Sequence, residues 1–314
     1  MRKRRTTLVL APLLGLVLLA ACSSSSSGSG ATSSATPSAK GSLVVGTAGF
    51  TESEVLGNMY AQLLNKLGYH TSITNVASSE IFQSSLQKGA INVVPEYAAT
   101  YANQLDAIVH NKSAGDVASS NLDQTYTALQ QLANKLGLTA LTPSSAVDQN
   151  AFAVSKSFAA AHHLSTLSDL GASGLSVTIA GPAECATRPF CKPGLEKTYG
   201  IKVKGIDPLG FDTIQGKKAV QSGTDEVAEV ATTDATVSDF DLVVLTDDKH
   251  LQNADNVVPI VHTKSLTPEI KAELDKLSAM LTTEDLAQLN KQVDIERMTP
   301  ADVAKAYLTS KGLI

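Results

Sequence analysis

The chain is 314 residues long, with 25 Lys and Arg against 30 Asp and Glu and a formal net charge of −5. Beyond residue 22 its arginines are Arg188 and Arg297; this acidic balance without basic clusters excludes the electrostatic footprint of a nucleic-acid-binding protein. There is no Gly-x-Ser-x-Gly, no Gly-x-x-x-x-Gly-Lys and no His-Glu-x-x-His, so the sequence offers no catalytic constellation of a known local pattern.

Residues 1–22 read as a processing signal: Arg2, Lys3, Arg4 and Arg5 form a charged start, Leu8–Leu19 an apolar middle, and Ala20-Ala21 a small-residue cleavage region. Leu19-Ala20-Ala21-Cys22 resembles the bacterial lipobox, which makes Cys22 the expected site of lipidation. Residues 23–41 are almost entirely Ser, Gly, Ala, Thr and Pro, too poor in apolar side chains to offset the entropy of ordering, and read as a flexible tether. The remainder of the chain, roughly 270 residues, exceeds the usual length of one domain and predicts two lobes. No later apolar run is long enough to cross a bilayer.

Leu43–Gly46 reads as a short buried strand. Val55, Leu56, Met59, Tyr60, Leu63, Leu64 and Leu67 recur at helical spacing until Gly68. Thr51 with Glu54 three residues on has the form of a capping box, and a helix start at a strand end turns backbone N–H groups toward a crevice. A short amphipathic segment from Ser78 to Gly89 precedes a strand, Ala90–Val94. Pro95–Tyr101 is expected as the loop at the carboxyl end of that strand, where ligands sit in open α/β sheets. It runs into a helix ending near Ile108, and Leu122–Leu136 is another helix.

Thr142–Gln149 is polar, contains proline, and reads as a crossing between lobes. Strands are expected at Ala151–Val154, Leu175–Ala180, Ile201–Ile206, Glu226–Ala231 and Phe240–Leu245, with a short helix at Gln215–Gln221. Thr246–Asn256 is the return crossing, and a strand at Val257–Val261 comes after it. Helices are expected at Pro268–Leu281, Thr283–Val293 and Pro300–Ser310. Cys185 and Cys191 fall in a Gly-, Pro- and Cys-rich loop that also holds Arg188. In an exported chain a short-loop disulfide is the preferred reading, and two sulfurs without a nearby histidine fall short of a zinc ligand set. Glu52, Glu96, Asp212 and Asp234 all stand at predicted element ends, where a carboxylate can meet a cation or cap a helix. His162-His163 read as solvated surface, and Asp247-Asp248-Lys249 as a charged turn or a solvated loop.

Five blocks then stand in order: Gly46-Thr47-Ala48-Gly49-Phe50-Thr51-Glu52-Ser53, Pro95-Glu96-Tyr97-Ala98-Ala99-Thr100, Thr233-Asp234, Leu245-Thr246-Asp247-Asp248-Lys249 and Leu289-Asn290-Lys291-Gln292-Val293-Asp294. On these residues the span Leu43–Ile314 resembles the substrate-binding proteins of glycine betaine, carnitine and choline ABC importers, of the ProX and OpuC types. The resemblance implies an α/β type II periplasmic-binding-protein fold, with two α/β lobes joined by a two-crossing hinge: residues 42–147 with 253–314, and residues 148–252. It implies no cofactor, no metal and no catalysis. The implied partners are a small-molecule solute and ABC permease subunits, for a monomer anchored by lipid to the extracytoplasmic face of the membrane.

By the same resemblance Thr100 and Arg188 would hold a carboxylate, with Tyr97 as one wall of an aromatic box for a quaternary ammonium and Phe211 near a further aromatic position. Thr51 and Thr233 fall at the crevice, and Glu52, Glu96 or Asp234 could take over a cationic group. The sequence departs from the pattern where the family has lysine (Ala48), glutamine (Ser53) and aromatic walls (Asn150 and Ala231). A bulkier or less cationic solute is the alternative within this class, and an extracytoplasmic enzyme on the same scaffold the alternative outside it.

Overall fold

The apolar run after Gly41 forms strand β1 (Ser42–Ala48), paired in parallel with β2 (His70–Val76) on one edge and β3 (Val93–Tyr97) on the other. The computed structural model describes residues 40–76, 79–112 and 117–314, so the expected signal, Cys22 and all but the end of the tether lie outside the described residues. The described residues make one compact unit. Its first sheet is completed by β4 (Leu138–Ala140) and β10 (Val257–His262), in the order β2-β1-β3-β10-β4. Its second sheet has the order β7-β6-β8-β5-β9, from β5 (Asn150–Ser155), β6 (Ser176–Gly181), β7 (Lys202–Pro208), β8 (Val227–Ala231) and β9 (Leu242–Leu245).

The two sheets share one plan. Three strands run parallel, and the fourth, β10 in one sheet and β5 in the other, runs antiparallel to both its neighbours. Each fourth strand is the one that the chain enters after crossing from the other sheet. The central strands are apolar almost throughout because both faces are covered. In β10, Val257 and Val261 pack with helix α1 (Thr51–Lys66) and the carboxyl-terminal helices α9 (Pro268–Met280), α10 (Thr283–Asp294) and α11 (Pro300–Ser310). Val258 and Ile260, on the opposite face, pack with α2 (Ser79–Gln87), α3 (Ala98–His110) and α4 (Leu122–Lys135). The second sheet is covered by α5 (Lys156–His162), α6 (Leu167–Ala172) and the disulfide loop on one face and by α8 (Ile214–Gln221) on the other, with the single turn α7 (Lys192–Gly194) between.

The two crossings lie side by side. Ser144 N–H donates to the Val257 carbonyl (2.8 Å), Val257 N–H to Ala146 (3.0 Å) and Asp148 N–H to Asp255 (3.1 Å), with Val147 and Asn256 as an antiparallel bridge. The Asn256 amide adds a bond to the Ser144 carbonyl at 2.9 Å.

Several local expectations differ from what is found. Helix α1 begins at Thr51 itself with Phe50 as its uncapped flank, so the capping box is absent; the Thr51 hydroxyl donates to Asp294 and the Glu54 carboxylate accepts from Asn75. Pro95, Glu96 and Tyr97 are strand rather than loop, because β10 offers an antiparallel partner that sets Pro95 opposite Pro259, two residues that need no ladder N–H. Strand β2 is a polar, largely exposed edge with no apolar alternation to announce it. Asp247 is a loop organiser as well as a charged turn, accepting from the Tyr199 hydroxyl and from the N–H groups of Leu251 and Gln252. His162 and His163 are exposed, as expected.

Gly171 in α6 lies so close to the turn Leu195–Tyr199 that an added Cβ would stand 1.9 Å from the Tyr199 carbonyl oxygen. Gly171→Ala should therefore lower stability by about 1–3 kcal/mol through overpacking, outweighing the better helix propensity of alanine. A thermal melt in which the variant gains stability would show that α6 and this turn can part freely.

Candidate functional site

A cavity of about 370 Å³ opens between the lobes. From the first lobe it is lined by Ala99, Thr100 and Asn103 of α3, and from the second by Phe190 of the disulfide loop and Phe211 of the loop after β7. The crossings supply the rest of the lining: Asp148, Gln149 and Asn150 from one, and Gln252, Asn253 and Asp255 from the other. No lysine, arginine or histidine is among the lining residues.

The amino terminus of α3 opens toward this cavity, and the return crossing already occupies it. Ala98 N–H donates to the Asn256 carbonyl (2.9 Å), and Thr100 gives both its N–H and its hydroxyl to the Asp255 carboxylate at 2.8 Å each. The N–H and hydroxyl of Thr100 and the helix dipole thus meet a carboxylate of the chain itself, and the Ala98 N–H a backbone carbonyl. Burial still holds Asp255 above the usual carboxylate range, against these bonds from Thr100 and Ala99.

Asp148 accepts from the Thr233 hydroxyl at 3.3 Å. Burial, and then the charge of Glu52 with smaller contributions from Asp255 and Asp212, push its pKa up to about 7. Glu52, 3% exposed, lies beneath: Tyr97 donates to its Oε1 at 2.6 Å and Asn290 to its Oε2 at 2.8 Å. Burial raises the Glu52 pKa, against the hydrogen bonds from Tyr97, Asn290 and Thr233. The Asn290 amide also reaches the Thr233 carbonyl at 3.4 Å, tying α10 of the first lobe to the end of β8 in the second.

The remaining expected residues are dispersed around this centre. Tyr97 is partly buried with its hydroxyl on Glu52, and its ring lies 6.3 Å from that of Phe50. Glu96 is buried in β3, where its charge contributes to the raised pKa values of Tyr60 and Tyr101. Asp234 is the counterion of Lys217, 2.6 Å from an ammonium whose residue is only 4% exposed, and Asp212 stands 3.1 Å from the same nitrogen. Within this group the Asp234 pKa is lowered by its bonds from Lys217 and Thr236, while Asp212 is pushed up to about 7 by burial and by Asp234. Thr233, Asp234, Asn290 and Asp294 line a smaller interlobe crevice of about 110 Å³.

Arg188 is exposed on the disulfide loop and does not line the cavity; its charge opposes the burial that raises Glu229 to about 7. The structure therefore brings Thr100 and Phe211 together in one cavity and sets Tyr97, Glu52 and Thr233 in the network beneath it. It leaves Arg188 outside. Cys185 and Cys191 are disulfide-bonded and buried, with Glu229 Oε2 3.3 Å from Cys191 Sγ. Among the described residues these three are the group whose spacing could suit a metal ion, and the disulfide occupies both sulfurs.

Sequence reasoning passes over Asp255, Phe190, Gln252, Asn253 and Asn103, and meets Asp148 only within the polar crossing Thr142–Gln149. One signal does exist: Asp148 and Asp255 each precede, by two residues, the first residue of the strand that comes after a crossing.

Two mixed sheets of identical plan, two paired crossings and a polar cavity between the lobes define a two-lobed solute receptor of the type II class. The description "Substrate binding domain of ABC-type glycine betaine transport system" matches residues 41–310, and the chain belongs to that family. It is 28% identical over 283 residues to the glycine-betaine-binding protein of Pseudomonas aeruginosa, across 87% of this chain and 88% of that protein. The apo structure of YehZ from Escherichia coli superposes with a TM-score of 0.75 at 27% identity, over 87% of this chain and 99% of that one. A crystal structure described as a glycine betaine/carnitine/choline ABC transporter gives the same TM-score of 0.75 at 22% identity, over 87% of this chain and 98% of its own, a likeness of fold. Among the described residues no helix is long and apolar enough to cross a membrane.

The raised Asp148 pKa has a consequence for stability. The native state keeps a proton that the unfolded state, at the ordinary value of 3.8, has lost. Stability therefore falls as pH rises from about 4 to about 7, and the penalty is complete above that window. Asp148→Asn removes this titration, so its stability relative to the parent chain should rise between about pH 4 and about pH 7 and level off above in denaturant titrations. A difference independent of pH would mean that Asp148 titrates normally in the folded protein.

Proposed function

We propose that this chain is the extracytoplasmic receptor of an ABC importer, held to the membrane by a lipid on Cys22 and working as a monomer. It captures a small zwitterionic or quaternary-ammonium solute between its lobes, residues 42–147 with 253–314 and residues 148–252, and hands it unchanged to the permease subunits. The observation that carries this reading is the cavity to which both lobes and both crossings contribute, in a chain of this family. A guest touching all four segments favours the closed arrangement by its differential contacts, as hinge closure requires.

In this reading Phe211 and Tyr97 supply aromatic faces for the cationic end, worth about 0.5–2 kcal/mol each. Arg188 meets a carboxylate once the disulfide loop swings inward on closure, and Thr100 joins it only by releasing the N–H and hydroxyl that Asp255 holds in this structure. Thr51, Glu52, Glu96, Thr233 and Asp234 support the site from beneath. Glu96 and the Lys217–Asp234 pair do so by their burial, since stripping one partner from a buried ion pair costs about 3–5 kcal/mol.

Calorimetry with glycine betaine, choline and carnitine tests the reading. Phe211→Ala should weaken binding by about 2- to 30-fold, and Arg188→Ala should weaken the carboxylate-bearing solutes while sparing choline. Equal affinities in the parent chain and the Arg188 variant would remove that residue from the site. Solute recovered with a changed mass would favour the enzyme instead. For the anchor, the exported protein should carry a lipid mass at Cys22, and Cys22→Ala should appear in the soluble fraction; retention of that variant on membranes would contradict the assignment.

A further inference from the structure

Resting on the receptor reading above, we propose that the solute carries an apolar arm on its quaternary-ammonium or zwitterionic head, and that this arm passes Asn150 into a second chamber of the binding site. A cavity of about 250 Å³ within the second lobe adjoins the main one. The two share Gln149, Asn150 and Gln252 in their linings, so a single layer of side chains divides them. Gln149 and Gln252 are fixed in that layer by bonds from their amides to the backbone carbonyls of Asn253 and Phe190. Asn150, half-buried, is the member that can turn aside, and it stands where the resemblance implies an aromatic wall. A ring there would close the passage that the shorter amide leaves.

The chemistry of the chamber selects the arm. Its polar groups are largely engaged already: the Thr232 hydroxyl accepts from the Gln149 N–H at 3.0 Å and donates to the Val147 carbonyl at 2.9 Å, and the Asp247 carboxylate accepts from Tyr199, Leu251 and Gln252. What is left to face a guest is mainly hydrocarbon, from Ala151, Phe152, Leu167, Val244 and Leu245. Val244 alone of these five is open to water, at 37% exposure. An aliphatic or aromatic arm in the chamber takes that surface and its own out of water, worth about fourfold in affinity per buried methylene. A second charged end would instead give up its hydration for groups that are already paired.

Matched pairs that share a head and differ in the arm test this on the intact chain, by calorimetry: carnitine with hexanoylcarnitine, and glycine betaine with the N,N,N-trimethyl betaine of phenylalanine. The proposal expects the longer member of at least one pair to bind about tenfold or more tighter than its parent, the worth of about two buried methylenes. Val244→Glu, at an exposed position, should erase that advantage by placing a charge in the chamber while leaving the affinity for glycine betaine unchanged. Asn150→Phe should erase it by narrowing the passage. Longer members that bind no better than their parents, or an advantage that survives either substitution, would overturn the proposal and leave the receptor reading standing. Failure of every compound to bind would overturn both.

Discussion

The paired crossings are the constraint on which the rest of the molecule depends. Asp148 N–H to Asp255, Ser144 N–H to Val257 and Val257 N–H to Ala146 lock two chain segments about a hundred residues apart into one short antiparallel ribbon. Because the ribbon is continuous with β5 on one side and β10 on the other, it fixes which strand of each sheet runs against the rest. It also brings Asp148 and Asp255 to the cavity together with the amides of Gln149, Gln252 and Asn253.

Placing so many acids at a lobe interface is costly, and the structure shows three ways of containing the cost. Asp255 is offset by the helix terminus it caps. Asp234 is offset by Lys217, whose ammonium also takes Asp212 and Thr236. Glu52 and Asp148 have no cation among their partners and instead share the hydrogen bonds of Tyr97, Asn290 and Thr233, at raised pKa values.

The membership of the family and the particular chemistry of the cavity are separable. The family description spans residues 41–310, and the fold superposes on that of YehZ over 87% of this chain. The lining follows a more local logic. Asn150 stands in the cavity and Ala231 borders the smaller interlobe crevice, at the two positions where the resemblance implies aromatic walls, and Phe190 enters from the disulfide loop. The short Cys185–Cys191 loop holds Phe190 by its neighbouring cysteine, and the Gln252 amide holds its carbonyl at 2.8 Å.

The sequence by itself determined the alternation of apolar strands and amphipathic helices, the polar crossings and the family, because those are written in local periodicity and in motifs that need no partner to be recognised. Thr51 was legible as a helix start, and Gly68 as a stop. Whether Pro95–Tyr97 is strand or loop was decided by β10, which arrives from 160 residues downstream. The same holds for the anion slot of α3: nothing in Ala98-Ala99-Thr100 says that Asp255 will fill it. Which acids meet a lysine, which keep a proton and which face the solute depends on burial and distance between segments remote in the chain, and those quantities exist only once the two lobes have folded around their shared ribbon.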